Sequence, residues 1–143
     1  MLSRIYLMLF FMGIAAIVSC PNLASAQQKS VDLAQQSAKV WLALVDAGKY
    51  GEGYAETAQF FKLGVKKEQL QTSLHAQREP LGAVVSRKLK SAKYTSTLPG
   101  APDGNYVVVT YDTSFQHKAA AVETVTTLFD DFGFWRVCGY SIK

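Results

Sequence analysis

Few residues in this chain have side chains that could do chemistry. His75, Arg78, Glu79 and Arg87 crowd into one stretch, HAQREPLGAVVSR. His117, Asp112 and Cys138 lie further on. Glu79 beside Arg78 has the composition of a catalytic acid next to an electrostatic clamp. Either Glu79 or Asp112 could be the carboxylate of a small isomerase or hydrolase. That chemistry needs a buried carboxylate with a shifted pKa in an apolar pocket. The spacing favours a structural role instead. Neighbours on a helix point apart. Arg78 suits the last helical carbonyls, where the dipole favours a cation. Glu79 suits a strand cation, and Arg87 a similar pairing from the first strand. No catalytic residue is assigned.

Other site types find little support. The two histidines have no spaced acidic partners, so no metal or other cofactor is expected. There is no phosphate loop, no G-x-S-x-G elbow and no H-E-x-x-H. Cys138, inside a strand, reads as a small apolar filler with nothing beside it to lower its pKa. Lys62, Lys66, Lys67, Lys88, Lys90 and Lys93 could face anionic lipid or cell-wall polymer. No aromatic series interleaves with them, so they read as solvated surface.

The N-terminus gives an address. Arg4 precedes an uncharged, mostly apolar run from Ile5 to Val18, too short to span a bilayer comfortably. Pro21 and the small-residue pattern Ala24-Ser25-Ala26 follow. This is the layout of a secretory signal over residues 1–26, cut between Ala26 and Gln27. The expected location is periplasmic or secreted. The alternative is a lipoprotein anchored through Cys20, because Ile17-Val18-Ser19-Cys20 loosely resembles a lipobox. Residues 27–143 would form a single domain with no transmembrane segment. Arg4 is the only charge in 1–26, so that domain keeps a surplus of three positive charges. Such a mild surplus does not call for nucleic acid.

The elements that would position these groups are legible. Ala34, Ala38, Trp41, Leu42 and Val45 recur at helical spacing, with Ser30 as a candidate cap and Gly48 as a terminator. Tyr54, Ala58, Phe61 and Val65 predict a second helix, and Leu70 and Leu74 a third over about 67–77. Pro80 should push Glu79 out of the helix. Gly82 then permits a corner into a strand over about 83–97. Further strands are predicted over 106–115, 122–129 and 134–142, separated by turn signals at LPGAPDGN, FQHKAAA and DDFG. Helices followed by antiparallel strands give an α+β fold, with helices packed on a curved sheet of about four strands. The order resembles the cystatin-like or nuclear-transport-factor-2-like roll.

The pleat predicts an interface. Pairing Phe115 with Val122, and Phe129 with Phe134, places Val107, Val109, Tyr111, Phe115, Val122, Leu128, Trp135 and Val137 under the helices. Val125, Phe129, Phe134 and Tyr140, with Asp112, Glu123 and Arg136, then form a half-apolar outer face. Such a face suits a second copy or a partner. A bulge at Gly139 would swap faces.

WLALVDAGKY, REPLGAVVSR, LPGAPDGNYVVVTYDTSF, VETVT and FWRVCGYSIK occur in one order over about 34–143. In these blocks the chain resembles the bacterial family called domain of unknown function 4019. Tyr54 stands where that family suggests tryptophan, and KKEQL lacks an expected aromatic. The resemblance implies a small exported bacterial protein and transfers no functional residue. Together these features favour a non-catalytic binding or protein-interaction module of the cell envelope, with a small ligand, an envelope protein or a second copy as partner. The alternative is a small pocket enzyme using a buried carboxylate.

Overall fold

The computed structural model describes residues 22–143. The apolar run, Cys20 and Pro21 lie outside the described residues. Four helices precede four strands: α1 (Asn22–Asp46), α2 (Tyr50–Ala55), α3 (Gln59–Gly64), α4 (Lys67–Arg78), β1 (Val84–Thr95), β2 (Tyr106–Phe115), β3 (Lys118–Phe129) and β4 (Trp135–Ile142). The strands form an antiparallel meander in the order β1-β2-β3-β4. The fold is α+β, and a cystatin-like or nuclear-transport-factor-2-like roll is compatible with it. No helix of the described residues is long and apolar enough to cross a membrane.

The helix α1 buries the predicted stripe, Ala34, Ala38, Trp41, Leu42 and Val45, and Val31 as well. It stops at Gly48, whose φ of 70° is open to glycine at little cost. It does not start at Ser30. Helix formers such as Ala24, Ala26, Gln27 and Gln28 carry it back to Asn22. The predicted second helix is two, α2 and α3. Ala58 between them is extended and donates its N–H to the Val137 carbonyl at 2.8 Å. Tertiary pairing there outweighs the local apolar periodicity.

The opening stretch is the corner between helices and sheet. Glu79 stays helical, against expectation, with its N–H on the His75 carbonyl. Glu79–Leu81 tightens into a single 3₁₀ turn that accommodates Pro80 near its start. The reversal comes at Gly82, at φ 71° and ψ −162°.

The predicted sheet faces need correction. Gln116 and His117 alone turn the second hairpin, so Phe115 meets Lys118 and Asp112 meets Val122. Phe129 meets Trp135 rather than Phe134. A one-residue change in pairing turns every side chain of a strand over. Glu123, Val125 and Thr127 therefore join Val107, Val109, Tyr111 and Thr113 beneath α1, all buried. Val122 and Leu128 turn outward with Asp112. A register shift opposite Thr126 and Thr127 leaves Cys138 as an extra residue beside Gly139. That bulge brings Tyr140 to the inner side, where its ring lies 5.1 Å from Trp41 in a T-shaped contact.

Candidate functional site

Six elements converge on one polar cluster. Asp46 ends α1 and Arg78 ends α4. Arg87 comes from β1, Thr113 from β2, Glu123 from β3 and Tyr140 from β4. The Glu123 carboxylate is fully buried. Its Oε2 accepts from Arg87 Nε and the Thr113 hydroxyl, both at 2.6 Å. Its Oε1 accepts from the Tyr140 hydroxyl at 2.6 Å and Arg87 Nη2 at 3.2 Å. Arg78 Nη1 lies 3.7 Å from the same oxygen.

Asp46 completes the cluster. Its carboxylate accepts from Arg87 Nη1 and Nη2 at 2.7 and 3.0 Å, and from Arg78 Nη2 at 2.7 Å. A carboxylate at a helix C-terminus opposes the dipole, so it needs these cations. Two carboxylates and two guanidiniums leave no net charge. Arg78 is itself buried, its guanidinium 5.0 Å over the Phe115 ring. Arg78 Nε and the Tyr111 hydroxyl are buried without a partner among the described residues.

Titration follows from this geometry. Burial pushes the Glu123 carboxyl up, but bonds from Arg87, Thr113 and Tyr140 outweigh it and hold the pKa below the ordinary 4.5. Asp46 is likewise pushed up by burial, yet held below 3.8 by Arg87 and Arg78. Burial and the Glu123 charge push the Tyr140 hydroxyl strongly upward. Both carboxyls bind fewer protons folded than unfolded. The stability they supply is present above their unfolded values and lost as pH falls through the folded ones. Urea midpoints should therefore be level from about pH 7 to about pH 5 and fall below about pH 4. In Glu123→Gln the acid-side fall should be shallower. A wild-type midpoint that stays level in strong acid would contradict the assignment.

Tyr111 gives an independent check. Its hydroxyl is buried and bonds nothing among the described residues, and burial raises its pKa. An unsatisfied buried polar group costs about 1–3 kcal/mol. Tyr111→Phe should stabilise the protein, by about 1 kcal/mol in a urea melt. A destabilisation of that size would show that the hydroxyl does have a partner.

Beside the cluster lies a cleft of about 210 Å³ between α3, α4 and β4. Trp41, Phe61, Val65, Leu70, Leu74 and Val137 make it apolar. Thr57, Gln69, Ser73, Gln77 and Tyr140 supply its polar atoms. Several are already engaged. Thr57 donates to the Tyr54 carbonyl, Gln69 Oε1 accepts from the Lys66 N–H, and Tyr140 serves Glu123. The Gln69 amide nitrogen and the Gln77 carbonyl oxygen make no side-chain bond among the described residues. Among the described residues, no carboxylate, histidine, lysine, arginine or cysteine lines the cleft.

The sequence-derived candidates scatter. Asp112 is exposed on the outer face and pairs with Lys90 at 3.2 Å. Glu79 is exposed and pairs with His75 at 2.8 Å, not with a strand cation. Arg78 does not cap carbonyls; it joins Asp46. His117 sits in the hairpin turn, its N–H on the Leu81 carbonyl. Cys138 is half-buried, and burial pushes its pKa to about 11. Of the expected interface, Val125 and Glu123 are core residues and Tyr140 belongs to the cluster. Phe129 and Phe134 remain exposed at the β3–β4 hairpin. Arg136 binds Asp130 and Glu56 there, 5.5 Å over the Phe134 ring.

A family model, protein of unknown function (DUF4019), matches residues 37–140. The chain belongs to the DUF4019 family. The DUF4019 match runs from α1 to β4 and takes in all six cluster residues and the whole cleft lining. Tyr54 donates its hydroxyl to the Val65 carbonyl at 3.0 Å and so ties α2 to the end of α3. A search of curated proteins finds no match.

Proposed function

We propose that this DUF4019 chain is an exported, non-catalytic binding module of the bacterial cell envelope. In this reading the cleft between α3, α4 and β4 is its binding site. One observation carries the reading: the cleft is apolar and neutral, while the buried carboxylate next to it is saturated with donors. A general base must be able to take a proton near neutral pH. Glu123 is held below the ordinary range, and its lone pairs are already occupied. The pocket-enzyme alternative would have to work around that bonding. Asp112 and Glu79 lie outside the cleft and cannot serve it.

Export draws support from the layout of residues 1–26 and from where the core begins. Asn22 to Lys29 are exposed, and the first buried residue is Val31. Of the described residues, cutting after Ala26 removes only the exposed Asn22 to Ala26. The proposed location is periplasmic or secreted, with lipidation at Cys20 as the alternative. A homodimer or protein partner would have to use exposed residues such as Phe129, Phe134 and Asp112, since Val125 and Glu123 are enclosed.

Native mass spectrometry of protein purified from its own envelope tests both parts. The expected polypeptide starts at Gln27 and carries a neutral, partly apolar ligand that leaves on activation. A diacylated species starting at Cys20 would establish the lipoprotein. Ligand-free protein that turns over a substrate would establish the enzyme.

A further inference from the structure

The strand β4 is an edge of the sheet, and its outward backbone is only half used. Val122 and Lys143 exchange two N–H···O bonds, of 2.9 and 3.0 Å. Antiparallel ladders alternate, so Ser141 turns its backbone toward β3 while Ile142 and Tyr140 turn theirs away. Below the bulge the outward carbonyls are taken. Trp135 accepts from the Ser37 hydroxyl at 2.7 Å and Val137 from the Ala58 N–H at 2.8 Å. Thr57 and Val137 form a parallel bridge. The chain thus begins a fifth strand on this edge and abandons it at Gln59, where α3 starts. Beyond that point, the outward N–H and C=O of Tyr140 and Ile142 have no backbone partner among the described residues.

The opposite edge looks different. There β1 carries Lys88, Lys90 and Lys93 and two register shifts. Charges and bulges of this kind keep foreign strands away. Along β4 the only charge is Arg136, already bound to Asp130 and Glu56. The one bulge of β4, at Cys138, lies below Gly139, and the uncharged stretch beyond it opens on the cleft. Gly139 and Tyr140 form one wall and Leu70, Ser73, Leu74 and Gln77 of α4 the other. An extended chain added there would find backbone partners on one side and an apolar slot for its alternate side chains. That is the geometry of strand addition.

We propose that the ligand of this cleft is an extended peptide segment that pairs with the free edge of β4 at Tyr140 and Ile142. One apolar side chain drops toward Leu70, Leu74 and Val137. The Gln69 and Gln77 amides at the rim meet its flanking peptide groups. This rests on the reading of the cleft as a binding site and names what enters it.

The test is a titration of the ¹⁵N-labelled protein, in whichever mature form its host makes. The probe is acetyl-Lys-Val-Thr-Val-Thr-Val-Lys-amide. Its control is the same peptide N-methylated throughout. The plain peptide should shift the Tyr140 and Ile142 amides and slow their hydrogen exchange about tenfold at saturation. The methylated one should do neither. Ile142→Pro removes an outward N–H and no ladder bond, which an edge strand tolerates. It should keep the melt and weaken binding about fivefold, one hydrogen bond's net contribution. Equal binding of both peptides, or of wild type and Ile142→Pro, would overturn strand addition. Decanamide, a neutral amphiphile, separates the two readings. If it shifts the Leu70 and Leu74 amides while the plain peptide leaves β4 unmoved, the cleft stands and the peptide falls. If neither probe moves any of these amides, both fall.

Discussion

Glu123→Ala is expected to lower the unfolding free energy by about 3–5 kcal/mol, the usual effect of removing one partner from a buried ion pair. The carboxylate is fully buried, and Arg87 and Arg78 around it are nearly so. Without it, two guanidiniums would share Asp46 alone, inside a sheet-and-helix sandwich that water reaches poorly. Glu123→Gln should lose nearly as much. Arg87 donates to both oxygens, Nε to Oε2 and Nη2 to Oε1. Whichever way the amide is turned, its NH₂ therefore faces an arginine N–H. Urea melts of the two variants should show lower midpoints at unchanged slope. A loss below about 1 kcal/mol in both would mean that the cluster is solvated like a surface ion pair.

Much of this cluster was legible as a conflict in the sequence. Leu70, Leu74 and Arg78 fall on one helical stripe, so a cation occupies the next apolar position. Asp46 falls beside Val45 at the end of the stripe of α1. Glu123 has the same strand parity as Val125. Each is a charge at a core position, and charges there must be paired. The strand assignments and the Gly82 corner followed from local chemistry, because turn residues and β-branched runs act over a few residues. The pairing of strands did not. FQHKAAA offers several turn lengths, and only the packing of Val109 and Val125 under Trp41 and Leu42 selects the two-residue turn. The observed register moves Glu123 from the expected outer face to the buried centre of the molecule. The bulge at Gly139 was the one device whose effect on the faces could be foreseen, and it sets the place of Tyr140.

Gly82→Val should be the most damaging change in the corner, at about 2–3 kcal/mol, against less than about 1 kcal/mol for Pro80→Ala. At φ 71° and ψ −162° the backbone of Gly82 lies in a region that essentially only glycine occupies. Space is short as well. A Cβ there would stand 2.9 Å from His117 Cδ2 and 3.0 Å from Gln116 Cβ. The imidazole can swing away, but Gln116 Cβ is fixed by its backbone, whose N–H binds the Ala83 carbonyl at 2.8 Å. His117 is pinned in the same way, through its N–H on the Leu81 carbonyl at 2.9 Å. Relief must therefore come from shifting the start of β1 against the β2–β3 turn. Arg87 lies five residues on, so the shift reaches the buried cluster. Pro80→Ala leaves these bonds intact and only loosens a 3₁₀ turn. Combining Gly82→Val with Glu123→Gln should cost less than the sum of the two, because both disturb the hold on Arg87. Strict additivity in urea melts would show that the corner strains only itself. Equal, negligible losses for Gly82→Val and Pro80→Ala would mean that the turn is held by neither residue.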